Sequence, residues 1–227
     1  METPKKTQIY NLVILDKSGS MESIRTEAIN GYNETLGSIK ATQRKFADTQ
    51  EHYVSLAAFC ECGIDMIYDK TPINEAEPLT KEKYEPCCGT PLFDAIGKSV
   101  ASLKKHLADT DNHAVLVTII TDGYENASVE WNGEAIAKLI EECKEKGWMF
   151  SFIGAGESCI EVATTISITN TMLWENTSEG TKEMFANENL ARENYCCSLN
   201  HSRISDLEQE DRRKIMQKLA EEYYKNN

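Results

Sequence analysis

The chain has 227 residues, 41% of them hydrophobic and 27% charged, which places it among globular proteins large enough to bury a substantial single core. Its formal net charge is −13, so the average surface repels phosphate backbones and anionic lipid, and neither nucleic acid nor a membrane is expected as a partner. No apolar run approaches the roughly eighteen residues of a membrane-spanning helix, and METPKKTQIY lacks the apolar region and cleavage site of a signal peptide; a cytoplasmic protein is expected.

In chain order, QIYNLVIL (8–15) ends in a continuous apolar run and reads as a central strand buried on both faces. A loop, LDKSGSM, follows. From Ser23 the apolar positions Ile24, Ala28, Ile29, Tyr32, Leu36 and Ile39 recur at three- and four-residue steps, the pattern of an amphipathic helix. HYVSLAAFC (52–60) and IDMIYDKTPI (64–73) are separated by so few residues that they predict an antiparallel hairpin at a sheet edge. A loop ending at Thr90 leads to a helix opening near Pro91 and marked by Leu92, Ile96, Val100, Leu103 and Leu107.

HAVLVTIITDG (113–123) is a second fully buried strand. A helix closed by Gly147, the strand WMFSFIGAG, the short helix ESCIEVATTIS and the edge strand TMLWEN come next, and then a long helix from Ser178. Strands alternating with helices specify an α/β sandwich with a mostly parallel sheet of about six strands, one edge strand antiparallel and helices on both faces. The expected organisation is one domain over residues 1–202 and a charged helical extension over 203–227, folded back onto the domain.

In such a sheet, ligands bind beyond the carboxyl ends of the strands. Three loops reach that edge with oxygen donors: Asp16, Ser18 and Ser20 after the first strand, Thr90 at a helix start, and Asp122 after a central strand. Two carboxylates and three hydroxyls, without histidine or cysteine, form a hard set suited to Mg²⁺, Mn²⁺ or Ca²⁺. In an extended loop the i, i+2, i+4 spacing of DKSGS would turn its three side chains to one side, with Gly19 easing the turn. Two formal charges do not over-compensate a divalent ion, and an octahedral shell would still need water or an outside oxygen.

DxSxS, the threonine of GTPL and the aspartate of TDG, in that order, resemble the metal-ion-dependent adhesion site of von Willebrand factor A domains. In style the motifs are similar to intracellular bacterial members, and the likeness covers about residues 8–200. It implies a Rossmann-like three-layer sandwich. Asp16, Ser18, Ser20, Thr90 and Asp122 would hold the ion directly or through water, and a protein partner would present an Asp or Glu to it. The resemblance implies a non-catalytic binding module; it leaves oligomeric state open.

The rival reading is a haloacid dehalogenase-type phosphatase or phosphotransferase using Asp16 as nucleophile, but Ser18 stands where that chemistry needs a second acid. A serine hydrolase lacks GxSxG, and a dinucleotide site lacks GxGxxG. Tyr124 and Trp131 could rim the metal or pack on the following helix. Among the eight cysteines, Cys60, Cys62, Cys87 and Cys88 could form a zinc site, but CxC plus CC lacks knuckle spacing, and reduced, half-buried thiols are expected.

Overall fold

The computed structural model describes residues 6–225. Six strands form one sheet: β1 (Thr7–Asp16), β2 (Gln50–Cys60), β3 (Gly63–Pro72), β4 (His113–Thr121), β5 (Met149–Ala155) and β6 (Asn170–Trp174). Their order is β3-β2-β1-β4-β5-β6, parallel throughout except for the β2/β3 hairpin at one edge. The chain therefore reverses its direction of build between β1 and β4, which opens a crevice beyond the carboxyl ends of those strands.

Six helices cover the sheet: α1 (Arg25–Lys45), α2 (Leu92–His106), α3 (Gly133–Lys144), α4 (Glu157–Thr165), α5 (Ser178–His201) and α6 (Gln209–Glu221). The two-residue period of the central strand sorts them into layers. Tyr10, Leu12 and Ile14 face α2, α3 and α4 through Ile96, Ile136, Ile140 and Ala163. Val13 and Leu15 face α1 and the first half of α5 through Ala28, Tyr32, Leu36, Met184 and Phe185. Ile9 meets the second half of α5 and α6. Both faces are covered, which is why β1 and β4 read as unbroken apolar runs.

The elements match their expected positions. Gly147, with φ +85°, ends the turn after α3, and Asn132 caps the helix start by accepting from the Ala135 N–H at 2.9 Å. The charged C-terminal stretch lies on the domain: Met216 is buried, the Arg212 guanidinium donates to the carbonyls of Ile204, Asp111 and Leu207, and Asn170 donates to the Ala220 carbonyl. No helix among the described residues is long and apolar enough to cross a membrane.

Helix α1 approaches α5 closely at Gly31, where a Cβ would lie 2.0 Å from Phe185 Cδ2. Alanine improves helix propensity by about 1 kcal/mol, but forcing a buried ring aside costs about 1–3 kcal/mol. Gly31→Ala is therefore expected to lower the urea midpoint. Gly37→Ala on the same helix, with nothing within 4 Å of its Cβ, is expected to raise it.

Buried His52 supplies a pH dependence. Gln50 donates its amide to the Cys196 carbonyl, so its oxygen faces His52 Nε2 at 3.1 Å and fixes the proton there. Nδ1 is buried without a partner. Burial, then the Arg192 charge, depress the imidazole to about 3, so the fold holds it neutral while the unfolded chain protonates near pH 6.5. Stability from this site is present above pH 6.5 and is lost as pH falls toward 3, by up to about 1.4 kcal/mol per unit. His52→Gln, which keeps an Nε2 donor, is expected to flatten that acid limb in denaturation curves measured from pH 7 to 4.

Candidate metal centre

Strand β1 ends on Asp16, which is fully buried. One carboxylate oxygen accepts the Ser18 N–H at 2.6 Å and the other accepts the Thr121 hydroxyl at 2.6 Å. Its carbonyl accepts the hydroxyl of buried Tyr84 at 2.5 Å. The side chain is thus held across the gap between β1 and β4. Burial, the dominant influence, raises Asp16 to about 6, opposed by the Thr121 and Ser18 hydrogen bonds and assisted by the nearby Asp122 charge.

The next residues depart from the extended loop that the spacing suggests. Ser18 is extended, at φ −64° and ψ 166°, but Gly19–Ile24 form a 3-10 helix that turns the chain directly into α1. That turn brings the Ser18 and Ser20 hydroxyls to 3.2 Å. Gly19 does not have a left-handed backbone, and a Cβ there would make an ordinary 3.6 Å contact with the Cys88 carbonyl. Ser20 donates to Asp122 at 2.7 Å, and Asn176 donates to the other Asp122 oxygen at 2.6 Å. Burial raises Asp122 as well, against those two hydrogen bonds.

Thr90 reaches the same point from the loop that leads into α2. Asn126 fixes it from both sides: its side-chain oxygen accepts the Thr90 N–H at 2.8 Å, and its N–H donates to the Thr90 carbonyl at 3.2 Å. Glu125 accepts the Phe93 N–H, and Asp94 accepts the N–H groups of Val129, Glu130 and Trp131. These bonds stitch the loop after β4 onto the start of α2. A Cβ at Gly123 would lie 2.9 Å from the Thr90 hydroxyl oxygen and 3.6 Å from an Asp16 oxygen. Gly123 therefore lines a cradle shared by Thr90 and Asp16.

The fold thus gathers all five sequence-identified donors at the crevice between β1 and β4. Their chemistry fits a hard divalent ion: the oxygens are those of two carboxylates and three hydroxyls, and among the described residues neither carboxylate is ion-paired, although burial disfavours the charge of both. Thr121, Asn126, Asn176, Tyr84 and Gly123 hold or shape the set, and the sequence singles out none of them for that role. Thr121 and Gly123 do flank Asp122 within TDG. Of the two rim aromatics, Tyr124 is 60% exposed, whereas Trp131 packs over Gly97 of α2.

Solved structures share this architecture. The manganese-loaded TRAP protein of Plasmodium vivax aligns with a TM-score of 0.53 and 15% identity, over 79% of this chain and 71% of that one. The pilus adhesin SpaC of Lactobacillus rhamnosus GG aligns with a TM-score of 0.58 and 15% identity, over 82% of this chain. The match spans 30% of the adhesin's chain. The fold described above is that of a von Willebrand factor A domain. No protein-family model matches the sequence, and no curated protein is similar to it.

Gly123→Ala tests the cradle. A methyl group there displaces the tip of Thr90 rather than backbone, so the fold is expected to survive by circular dichroism. Calorimetric affinity for Mg²⁺ or Mn²⁺ is expected to fall at least about tenfold, or ~1.4 kcal/mol.

Proposed function

We propose that this protein is a divalent-metal-dependent protein-binding module that recruits an Asp or Glu side chain of a partner. The observation that carries the reading is the hydrogen-bonded set Asp16–Ser18–Ser20–Asp122, with Thr90 beside it at the carboxyl edge of the sheet. Mg²⁺, Mn²⁺ or Ca²⁺ held there would offer an open position to an outside carboxylate.

The chain's own residues do the positioning. Asp16 is fixed before any ligand arrives, because Thr121 and the Ser18 N–H hold both of its oxygens. Ser18 and Ser20 stand side by side at the mouth, and Asn176 sets the rotation of Asp122. Exposed Tyr124, two residues beyond Asp122, supplies an aromatic rim of the kind enriched at interfaces, and Val129 in the same loop is 88% exposed. We place this module in the cytoplasm as a scaffold or adaptor; its eight free cysteines fit a reducing compartment.

A phosphoryl-transfer role finds less support. Asp16 has no exposed surface, and Ser18 occupies the position where a general acid would stand. The fold neighbours that include a pilus adhesin also favour a binding role.

Asp16→Ala and Ser18→Ala are each expected to abolish Mg²⁺ and Mn²⁺ binding in calorimetry while leaving the fold intact. A pull-down on the wild-type chain should lose its partner on addition of chelator, and both variants should fail to capture it. Partner capture that survives chelation and both substitutions would rule out the metal bridge, and phosphatase turnover lost in Asp16→Ala would put the enzyme reading in its place.

A further inference from the structure

On the other side of β1, the same strand end meets four cysteines. Cys60 closes β2 and is buried, and Cys62 stands in the hairpin turn before β3. Cys87 and Cys88 lie in the loop that leads to Thr90. Neither CxC nor CC resembles a zinc knuckle, and spacing in sequence argues against a shared site. The fold supplies the convergence instead: the β2/β3 turn is laid against the 87–90 loop by the bonds Glu61 N–H to Gly89 carbonyl at 2.9 Å and Gly89 N–H to the Glu61 carboxylate at 3.2 Å.

The sulfurs of Cys60 and Cys87 are 3.2 Å apart, those of Cys62 and Cys88 3.3 Å, and those of Cys62 and Cys87 3.7 Å. Cys60, Cys62 and Cys87 all lie within 4.8 Å of one another. A tetrahedral ion with metal–sulfur bonds of about 2.3 Å places its ligand sulfurs about 3.8 Å apart, so the cluster is at nearly the right size. Two further features are those of a built site. Cys88 sits at φ +55°, a left-handed conformation that costs a non-glycine residue about 1 kcal/mol or more, and its sulfur lies against that of Cys62, at the edge of the three that are all within 4.8 Å of one another. Lys17, ion-paired with Asp65 and largely buried, joins the group through its backbone, where its carbonyl accepts the Cys87 N–H at 2.9 Å.

We propose that Cys60, Cys62, Cys87 and Cys88 form a second metal site, a tetrathiolate centre for Zn²⁺. All four sulfurs are soft donors, the opposite of the oxygen set on the other side of β1, so the two sites select different ions. Binding one Zn²⁺ displaces the four thiol protons and leaves a net charge of −2 on the centre. The ion cross-links the β2/β3 turn to the loop that carries Thr90. That link to Thr90 rests on the proposed function above; the thiolate site itself does not.

The test uses the full-length chain, reduced and stripped of metal, titrated with Co²⁺ and then Zn²⁺. The expected result is one Co²⁺ bound per chain with release of about four protons and the intense visible absorption of tetrahedral cobalt thiolate, followed by displacement of the Co²⁺ by Zn²⁺ with no further proton release. Cys62→Ser combined with Cys87→Ser, both at accessible positions, should lose that absorption while keeping its circular dichroism. Cys197→Ser, remote from the cluster, and Asp16→Ala should both retain it, so failure of the oxygen site and failure of the sulfur site are separable. The proposal is overturned if the reduced wild-type chain shows no thiolate absorption, including the case where air oxidation instead removes two hydrogens per cysteine pair by mass. It is equally overturned if the absorption persists in the double variant.

Discussion

A carboxylate with no exposed surface is the constraint on which the site depends. Asp16 terminates the central strand, and its charge is disfavoured there by burial. The structure responds with hydrogen bonds from both flanks, Thr121 of β4 and the Ser18 N–H, and with Tyr84 beneath the carbonyl. These contacts need β1 in one register: Leu15 beside Ile120, and Asp16 beside Phe59. A slip of one residue would turn every β1 side chain to the wrong layer and carry Asp16 away from Thr121. The apolar core and the polar site are therefore specified together.

A second buried carboxylate, on a helix packed against the same sheet, shows why Asp16 is the one suited to a cation. Glu188 of α5 is equally enclosed, but Arg192, one turn further on, pairs with it at 2.9 Å. Thr118, Tyr223 and Tyr224 donate to the same carboxylate, while Arg192 also donates to Asn11 and Thr118. Glu188 is thus neutralised within the chain, and its network ties α5 and the residues after α6 to the middle of β1 and β4. Such a pair is weak evidence of stability, because desolvation offsets much of the attraction, but it fixes which groups meet. Asp16 has hydroxyl and amide donors and no such cation.

What the sequence made legible follows from this division. The strands, the helices and the hairpin announce themselves through local period and apolar content, and the five oxygen donors lie at the ends of those elements. Residues that act across the chain were hidden: Thr121 reads as one more strand residue until Asp16 is placed beside it, and Asn126 and Asn176 read as loop polarity. The spacing of DKSGS singled out side chains that the fold does bring together, but a 3-10 turn and not an extended loop joins Ser18 to Ser20. The cysteines were the least legible, because their proximity depends on the packing of a turn against a loop some twenty-five residues later.

The two candidate sites meet at the end of one strand. Asp16, its last residue, is bonded by Thr121 of β4 beside the oxygen donors, and Lys17, just beyond it, pairs with Asp65 of β3 on the side of the sulfurs. The backbone between them is shared: Cys87 N–H bonds the Lys17 carbonyl at 2.9 Å, and Gly19 N–H bonds the Cys88 carbonyl at 3.1 Å. Thr90 follows Cys88 by two residues, so any ion that fixes the sulfurs also restricts the one oxygen donor that comes from a long surface loop. Ordering that donor beforehand lowers the conformational cost of assembling the oxygen site. A soft metal on the β2 side would then set the affinity of a hard metal on the β4 side without touching it.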